Sequence, residues 1–285
     1  MNADTWSDPL YRPRTEPTPG LERHRFGPLE AGVVVTDTDP VTVEASYLPD
    51  RSVTLVVTDD VTPDALGRAL PEFREFATSI ADRPTTASVT LPSRDVDRCR
   101  VARERGFAPS AVLAIASPPV MTVGRGSVTV RDYRSGDADA VADLWCEQTD
   151  YEARVGTLRT GERIRAAIRA SVPLTVPGDG TALVAEVAGV VIGIVLAQSV
   201  EASSWATARL AVGPAVYLSV ASTAAGHRGS GVGRALVAEL HARHRASGVA
   251  ASVLHHSAYN PLSVPFWYRC GYRSLLTTHA VRVAD

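Results

Sequence analysis

Ten residues in the C-terminal half, at positions 227–236, constrain the fold more than any other stretch; they read HRGSGVGRAL. An apolar run over residues 215–223 precedes them and a helical pattern over residues 235–246 follows, which predicts a strand, a glycine-rich turn and a helix. Glycines at alternate positions let the backbone approach a ligand closely and turn its amides toward one point. Because a helix N-terminus favours an anion, the stretch predicts a phosphate-binding loop.

The spacing of this loop excludes two common phosphate-binding motifs. A dinucleotide fingerprint, G-x-G-x-x-G, requires glycine where the chain has Arg234. A P-loop requires a lysine, and all 29 basic residues are arginine. Residues 228–233 instead resemble the R-x-x-G-x-G pyrophosphate loop of the GCN5-related N-acetyltransferase (GNAT) family. An ordinary glycine-rich turn before a helix is the alternative interpretation of the loop alone.

Composition excludes several other classes of protein. A chain of 285 residues with 45% hydrophobic residues has room for one large or two ordinary domains. A net charge of −2 is not that of a general nucleic-acid or membrane-surface binder, so we expect neither partner. Three widely spaced cysteines predict neither a zinc site nor a disulfide framework, and we expect no metal. Without a signal-peptide pattern or an apolar run of membrane-spanning length, we expect a soluble cytoplasmic protein.

Periodicity predicts alternating strands and helices along the chain. In the N-terminal half we expect strands at 41–47, 53–58, 87–91 and 107–116, with helices at 63–80 and 95–105. In the C-terminal half we expect strands at 128–131, 183–187, 190–198, 215–223, 249–254 and 272–283, with helices at 137–149, 159–171, 231–247 and 262–269. Residues 173–180 are predicted as a turn.

The order of elements in the C-terminal half and a second motif strengthen the resemblance. Over residues 127–285 the predicted order, β-α-α-β-β-β-α-β-α-β-β, is similar to that of the GNAT fold. The family often ends in an asparagine, a helix, an aromatic pair and a glycine–aromatic pair. The corresponding residues are Asn260, Phe266-Trp267 and Gly271-Tyr272, with the family's usual interval of eleven from the asparagine to the glycine. On these motifs the C-terminal half is identified as a member of the family.

A weaker internal repeat relates the two halves of the chain. Residues 67–70 and 233–236 are both Gly-Arg-Ala-Leu, and Arg105-Gly106-Phe107 parallels Cys270-Gly271-Tyr272. The two landmarks are 166 and 165 residues apart. The N-terminal half therefore resembles a reduced second domain, in which Pro63 has no N–H to offer and nearby aspartates would repel pyrophosphate.

These patterns predict an α/β (α+β) chain of two acyl-CoA N-acyltransferase-like domains, each a mixed twisted sheet flanked by helices. We expect an N-terminal arm over residues 1–28, a degenerate domain without a coenzyme A loop over 29–117, a connector over 118–127 and a catalytic domain over 128–285. Only the second domain is expected to bind cofactor. The other half would be structural or form one wall of the substrate cleft.

The resemblance implies a set of residues that bind acetyl-coenzyme A as cosubstrate. Backbone groups at the end of the strand before the loop would pair with the pantetheine arm and polarise the thioester, although the family's V-x-P ending is absent here. Asn260 would cap the next helix, bond the pantetheine arm, or do both. The expected cofactor-binding residues are Ala221, Ser222, Thr223, Arg228, Gly229, Ser230, Gly231, Val232, Gly233, Arg234 and Asn260.

The general acid and base are less clear in the sequence. Many family members have a tyrosine four residues before the glycine–aromatic pair, where this chain has Trp267, so Tyr268 is our candidate acid and water is the alternative. His255 is our candidate base, since it and His256 end a strand beside the cofactor strand and point to opposite faces. Weaker candidates are Glu201, Tyr217, Asp150 and Glu152. His241 and His244 are expected at the surface.

The resulting hypothesis is an N-acetyltransferase that transfers acetyl from acetyl-CoA to the primary amine of a small molecule by direct attack. The acidic stretch at 150–152 would suit a cationic amine. Two alternatives stay open: a non-catalytic acyl-CoA sensor, and a peptide or protein N-terminal acetyltransferase. The sequence leaves the acceptor, the acyl chain and the oligomeric state, a homodimer included, undecided.

Overall fold

A computed structural model describes residues 8–121, 128–156, 158–175 and 180–284 of the chain. The elements of the N-terminal half are β1 (Glu22–Phe26), β2 (Leu29–Asp37), β3 (Arg51–Val56), α1 (Pro63–Ser79), β4 (Thr85–Pro92), α2 (Val96–Glu104) and β5 (Ala108–Ala116). Those of the C-terminal half are β6 (Thr129–Asp132), α3 (Ala138–Val155), α4 (Glu162–Thr175), β7 (Thr181–Val187), β8 (Val190–Ala197), α5 (Ser204–Thr207), β9 (Ala215–Thr223), α6 (Val232–Ala246), β10 (Ala251–Ser257), α7 (Ser263–Arg269) and β11 (Arg273–Ala284).

All these strands belong to one mixed sheet, in the order β1-β2-β3-β4-β11-β5-β10-β9-β8-β7-β6. The order shows that the two halves exchange their last strands. The last strand of the C-terminal half, β11, pairs with β4 of the N-terminal half, while β5 of the N-terminal half pairs with β10. The exchanged strands β5 and β11 also pair with each other, antiparallel. Each half is therefore completed by a strand of the other.

Helices cover the sheet and enclose separate cores. Helices α1 and α2 pack on the N-terminal strands around Phe73, Phe107 and Leu55, all buried. In the C-terminal half α6 and α7 cover one face, around Leu236 and Trp267. Helices α3 and α4 cover the opposite face, as the alternation of neighbouring β7 residues between the two cores shows. The C-terminal sheet thus lies between two helical layers.

Most predicted elements are confirmed, and α1 illustrates why. Its apolar residues recur every three or four positions, and this face is buried, with no exposed area at Leu66, Leu70 or Phe73. The helix begins as predicted, since the Thr62 hydroxyl accepts a hydrogen bond of 3.2 Å from the N–H of Ala65, and Pro63 occupies the first helical position. The hairpin turn at Ala188-Gly189 is also confirmed, with both residues at positive φ.

Two predictions in the N-terminal half were wrong. Residues 22–26, expected in an arm, form β1, where alternating charges hid a strand held by the buried Phe26 and an Arg23–Glu30 ion pair across to β2. Residues 41–47, expected as a strand, contain a 3₁₀ turn at Val43–Ser46. Asp39 begins that turn by accepting a hydrogen bond from the N–H of Val41 at 3.0 Å. Local side-chain bonding of this kind competes with a strand ladder, and β3 pairs with β2 instead.

In the C-terminal half the differences concern element ends. Helix α3 extends to Val155, past the predicted end at residue 149, and closes on Gly156 at φ +89°. Helix α4 continues to Thr175 through Pro173, where a turn was predicted. The remainder of that turn, and most of the predicted connector at 118–127, lie outside the described residues. The predicted domain boundaries stay a prediction.

The internal repeat has a packing basis in the structure. A Cβ added to Gly67 would lie 3.1 Å from Val101 on α2, and one added to Gly233 would lie 3.1 Å from Phe266 on α7. The repeated glycine therefore lets the first helix of each unit approach the second. In each unit one strand precedes the first helix and a strand parallel to it follows, β3 and β4 around α1 and β9 and β10 around α6.

Candidate functional site

The sheet opens between β9 and β10. These parallel strands pair only over Ala215–Tyr217 and Ala251–Val253, although both continue further. A bulge begins at the same place: Ala197 of β8 faces Leu218 and Leu196 faces Val220, so one residue of β9 is extra. Because a bulge bends and twists its strand, it turns β9 away from β10. The result is a wedge-shaped gap at the carboxyl ends of two parallel strands.

The end of β9 lines this gap with backbone. On one edge β8 pairs with Ala221, Ser222 and Thr223. On the other edge, among the described residues, no strand pairs with β9 beyond Tyr217. The buried Ser222 hydroxyl donates to the Leu144 carbonyl of α3 at 2.8 Å, which fixes the strand to that helix. Backbone N–H and C=O groups therefore face the gap and can pair with an extended ligand.

The glycine-rich loop follows at the same end of the sheet. Gly229 and Gly231 have φ values of +80° and +92°, conformations that glycine adopts without strain. No atom lies within 4 Å of a Cβ added to either, so the space around the loop is open. Helix α6 begins at Val232, and the N–H groups of its first turn have no helical acceptor by construction. This geometry suits an anionic group such as pyrophosphate.

Close packing sets the position of α6. A Cβ added to Gly193 of β8 would lie 2.9 Å from Val232 and 3.0 Å from Leu236. The glycines at positions 193 and 233 therefore let the helix start approach the sheet on one side and α7 on the other. Both contacts bring the loop to the opening between the strands.

The two loop arginines have different surroundings. Arg228 donates to the Thr223 carbonyl at 3.2 Å and to Glu147 of α3 at 2.9 Å, and its guanidinium lies 5.1 Å from the centre of the Tyr151 ring. It thus joins β9 to α3 across the mouth of the gap. Arg234 is exposed on the first turn of α6. Their assignment to phosphate stays a prediction.

Asn260 is buried between the two helical layers. Its side-chain oxygen accepts hydrogen bonds from the N–H groups of Leu262 and Ser263, at 2.8 and 3.0 Å, at the start of α7. The predicted capping role is therefore confirmed. Its amide donates to the carboxylate of the buried Glu152 on α3. Glu152 consequently holds the end of the gap and is not an exposed acidic group beside it.

The candidate base His255 lies beside an aromatic cluster. Its Nδ1 and the Tyr217 hydroxyl share a hydrogen bond of 3.2 Å, and its ring lies parallel to that of Trp205, at 6.0 Å. Solvent reaches the imidazole, but surrounding protein disfavours its charged form and lowers its pKa to about 4. His255 is therefore neutral at neutral pH, able to accept a hydrogen bond but a weak base.

The candidate acid Tyr268 lies on the other face of β10. Its hydroxyl is 2.7 Å from that of Ser274, and its ring lies 6.4 Å from His256. Trp267, at the family's tyrosine position, is buried against Phe266 and Tyr272. The expectation that His255 and His256 face opposite ways is confirmed. The two predicted catalytic residues thus lie on opposite sides of the sheet, next to the strand that borders the gap.

Most acidic residues near the gap are already paired. Asp150 bonds to Thr160 and to Arg165. Glu147 and Glu152 have the partners described above, Arg228 and Asn260. Glu201, on the loop before α5, is exposed. The acidic stretch at 150–152 therefore does not present the negative patch that its sequence suggests.

Two expectations about histidines were wrong. His241 and His244 are buried in α6, and His241 lies 3.1 Å from the Tyr272 hydroxyl. Burial lowers the pKa of each imidazole to about 4. Their helical spacing placed them on the inner face, which the polar character of histidine concealed. Cys270 is buried too, and burial raises the pKa of its thiol to about 11.

The corresponding loop of the N-terminal half is occupied by the chain itself. Asp59, after β3, accepts hydrogen bonds from the Tyr11 hydroxyl at 2.9 Å and from Arg209 at 2.6 Å. The buried Arg98 lies 3.5 Å away. Desolvation is the largest effect on Asp59 and raises its pKa. Arginines pair with Asp59, so its charge is compensated within the chain, whereas Asp60 and Asp64 stay exposed. That this loop does not bind pyrophosphate stays a prediction.

Sequence reasoning missed two aromatic residues at the site. Trp205 belongs to α5, an element too short to have a periodic signal, and is 59% exposed. Tyr47 comes from the N-terminal half and accepts a hydrogen bond of 2.7 Å from the indole of Trp145 on α3. The Arg159 side chain donates to the Ala45 and Leu48 carbonyls, at 3.0 and 2.6 Å, and so holds this segment against the C-terminal half. The exposure of Trp205 marks it in the structure, and no pattern in the sequence marks either residue.

The C-terminal half is thus an α/β domain whose sheet opens beside a glycine-rich helix start. Residues 140–272 match the acetyltransferase (GNAT) family, and this part of the chain is a GNAT domain. No curated protein sequence matches the chain.

Solved structures resemble both halves. A GCN5-related N-acetyltransferase from Sphaerobacter thermophilus superposes with a TM-score of 0.55 at 18% identity, over 90% of this chain and 77% of that one. A conserved protein of unknown function from Staphylococcus epidermidis superposes with a TM-score of 0.54 at 13% identity, over 90% and 91%. At such identities the likeness shows the fold alone, a mixed sheet flanked by helices.

Among the described residues, no helix is long and apolar enough to cross a bilayer. Nor do they contain a group of three or more histidine, cysteine or acidic side chains placed to hold a metal ion.

Proposed function

We propose that the C-terminal domain transfers an acetyl group from acetyl-CoA to the primary amine of a small molecule by direct attack of the amine. The observation that carries the proposal is the gap between β9 and β10 with the glycine loop at its end. Amides of residues 229–234 would hold the pyrophosphate. Backbone of residues 221–223 would pair with the pantetheine arm and orient the thioester.

Alignment of two reactants supplies much of the rate of such a reaction. The amine nitrogen forms a bond to the acetyl carbonyl carbon, the carbon–sulfur bond breaks, and the nitrogen loses one proton while the thiolate gains one. Neutral His255 would accept a hydrogen bond from the attacking amine. Tyr268 would supply the proton to sulfur, with water as the alternative, because a thiol of pKa near 8.5 is a tolerable leaving group.

Acetyl-CoA binding tests the cofactor site. Calorimetry should give one saturating site per chain. Gly231→Asp should weaken binding by about 100-fold, since it places an L-residue at φ +92° and a negative charge beside phosphate. Ala65→Asp, at the equivalent position of α1, is the matched control and should leave binding unchanged. Two sites, or equal effects of both substitutions, would overturn the assignment.

Turnover tests the reaction itself. With acetyl-CoA and a panel of primary amines, the wild-type chain should release free thiol, which a thiol reagent detects, and His255→Ala should lower kcat/KM. Cofactor binding without turnover of any amine would instead support a non-catalytic acyl-CoA sensor. The buried Trp267 in place of the family's tyrosine favours that second candidate.

A further inference from the structure

Three aromatic rings meet where the gap begins, on the α3 side of the sheet. Trp205 and Tyr217 lie edge to face with ring centres 4.7 Å apart, and Trp205 is parallel to His255 within 13°. We name Trp205, Tyr217 and His255 the aromatic cluster. Tyr217 is the last residue of β9 that pairs with β10, and His255 is the next residue of β10 on the same face as Val253. The aromatic cluster therefore lies where the strands separate.

Protein surrounds the aromatic cluster, yet part of it stays open. Trp205 is 59% exposed even though one of its faces meets His255. Tyr47 is 38% exposed. Desolvation raises the pKa of Tyr217, and repulsion between the ionised forms of Tyr217 and Tyr47 raises it further. Flat apolar surface from both halves of the chain thus remains uncovered beside the reaction site.

The charge of this surface limits what it can bind. The phenols of Tyr47 and Tyr217 stay protonated, because burial raises the pKa of each, and His255 is neutral. The neighbouring carboxylates of α3 are bonded to Asn260, Arg165 and Arg228. Of the acidic candidates from the sequence, the exposed Glu201 alone is left near Trp205, enough for one ammonium group and too few for a polycation.

We infer that the acceptor is an amine carried on an aromatic ring system, such as an arylalkylamine, whose ring stacks on Trp205 while its amine reaches the gap. This inference rests on the proposed function and narrows its substrate class. Offset or edge-to-face contacts with an aromatic ligand add affinity beyond the area that they bury. A linear polyamine would find one exposed carboxylate, that of Glu201, for its several ammonium groups.

The test uses the full-length chain with 2-phenylethylamine, n-hexylamine and spermidine. We expect the KM for 2-phenylethylamine to be about tenfold below that for n-hexylamine, and spermidine to be the poorest acceptor. Trp205→Ala should raise the KM for 2-phenylethylamine about tenfold and that for n-hexylamine less than twofold. Trp205→Phe should restore most of the loss. Val190→Ala, which trims an exposed apolar residue on the β7–β8 hairpin, is the control.

A binding measurement separates this inference from the proposed function. In saturating coenzyme A, which cannot donate acetyl, 2-phenylethylamine should quench tryptophan fluorescence, and the quenching should vanish in Trp205→Phe. Quenching without turnover would leave the aromatic site standing and overturn acetyl transfer. Turnover without a ring preference, or unchanged in Trp205→Ala, would overturn the aromatic site and leave acetyl transfer standing. If neither quenching nor turnover is observed, both the aromatic site and acetyl transfer are overturned.

Discussion

In the C-terminal half β9 pairs with β10 over three residues and then leaves it, whereas in the N-terminal half β3 stays paired with β4 over five. The helix that follows β9 begins at a glycine with open space around it. The helix that follows β3 begins at Pro63, which has no N–H, and the Thr62 hydroxyl accepts a hydrogen bond from the N–H of Ala65. The same supersecondary unit is thus open to a ligand in one half and closed by its own side chains in the other.

The second helices of the two units repeat the contrast at equivalent positions, 95 and 260. Each residue caps its helix, but Asp95 also binds the buried Arg98 at 2.5 Å, whereas Asn260 binds Glu152 across the gap. A charged pair joins the cap of the N-terminal unit to its own helix, and a neutral amide joins the start of α7 to α3 in the other. Both caps are thus bonded within the free protein, and they differ in charge and in the element that they contact.

The largest expected effect comes from these two caps. Asp95→Ala should lower the free energy of unfolding by about 3–5 kcal/mol, because Arg98 is 1% exposed and loses its closest carboxylate. Asn260→Ala should cost about 1–3 kcal/mol, the range for an unpaired buried polar group, and should also weaken acetyl-CoA binding. Urea unfolding and calorimetry measure both. If Asp95→Ala weakened cofactor binding and Asn260→Ala did not, the comparison would fail.

Acid should destabilise the chain through α6. The pKa of His241 and of His244 falls from an unfolded value of 6.5 to about 4 on folding, so the unfolded state binds protons first. The contribution of these two imidazoles to the free energy of unfolding is full above pH 6.5 and is lost as the pH falls toward 4. At pH 5 each buried imidazole should cost about 2 kcal/mol. Urea unfolding of wild type and His244→Gln at pH 7.5 and 5.0 measures this. An equal pH dependence in both chains would contradict it.

The shared glycine gives the next comparison. Gly67→Val and Gly233→Val each force a side chain against the second helix of a unit, and each should cost about 2 kcal/mol by overpacking. Gly67→Val should leave acetyl-CoA affinity unchanged below its unfolding temperature. Gly233→Val should lower it, because that position lies in the first turn of α6. Thermal unfolding with and without acetyl-CoA separates the loss of stability from the loss of affinity. If acetyl-CoA raised the Tm of Gly233→Val as much as that of the wild type, the predicted loss of affinity would be refuted.

The smallest effect concerns the start of α1. Thr62→Ala removes an exposed cap and should cost about 1 kcal/mol. It exposes one N–H but leaves Pro63, so the number of acetyl-CoA sites per chain should stay at one. A second site in calorimetry would show that the cap alone keeps the N-terminal loop inactive.

The sequence predicts whatever depends on local pattern. Residues 215–223 and 227–236 have a hydrophobic run, glycine spacing and a following helix, and the strand, loop and helix stand where the pattern puts them. Local signals cannot carry pairing partners. The bulge in β9 and the exchange of β5 and β11 have no local sequence signal, because both depend on which strands meet in the folded sheet.

The candidate site divides in the same way. The glycine-rich loop could be placed from the sequence because its backbone geometry follows glycine spacing, and its binding of cofactor stays a prediction. The aromatic cluster could not, since Trp205, Tyr217 and His255 come from three separate segments. The buried histidines of α6 were mistaken for surface groups because a polar residue type outweighed a helical position on the inner face.

The exchanged strands have a consequence for dividing the molecule. A polypeptide ending at residue 121 would hold β5 without its two neighbours, β10 and β11, and one starting at residue 128 would lack β5 between those same strands. Neither fragment has a complete sheet of its own, so each should be insoluble when made alone. Produced together, the fragments should reassemble into a non-covalent heterodimer, and the protein would behave as a natural split pair whose halves recognise each other by strand complementation.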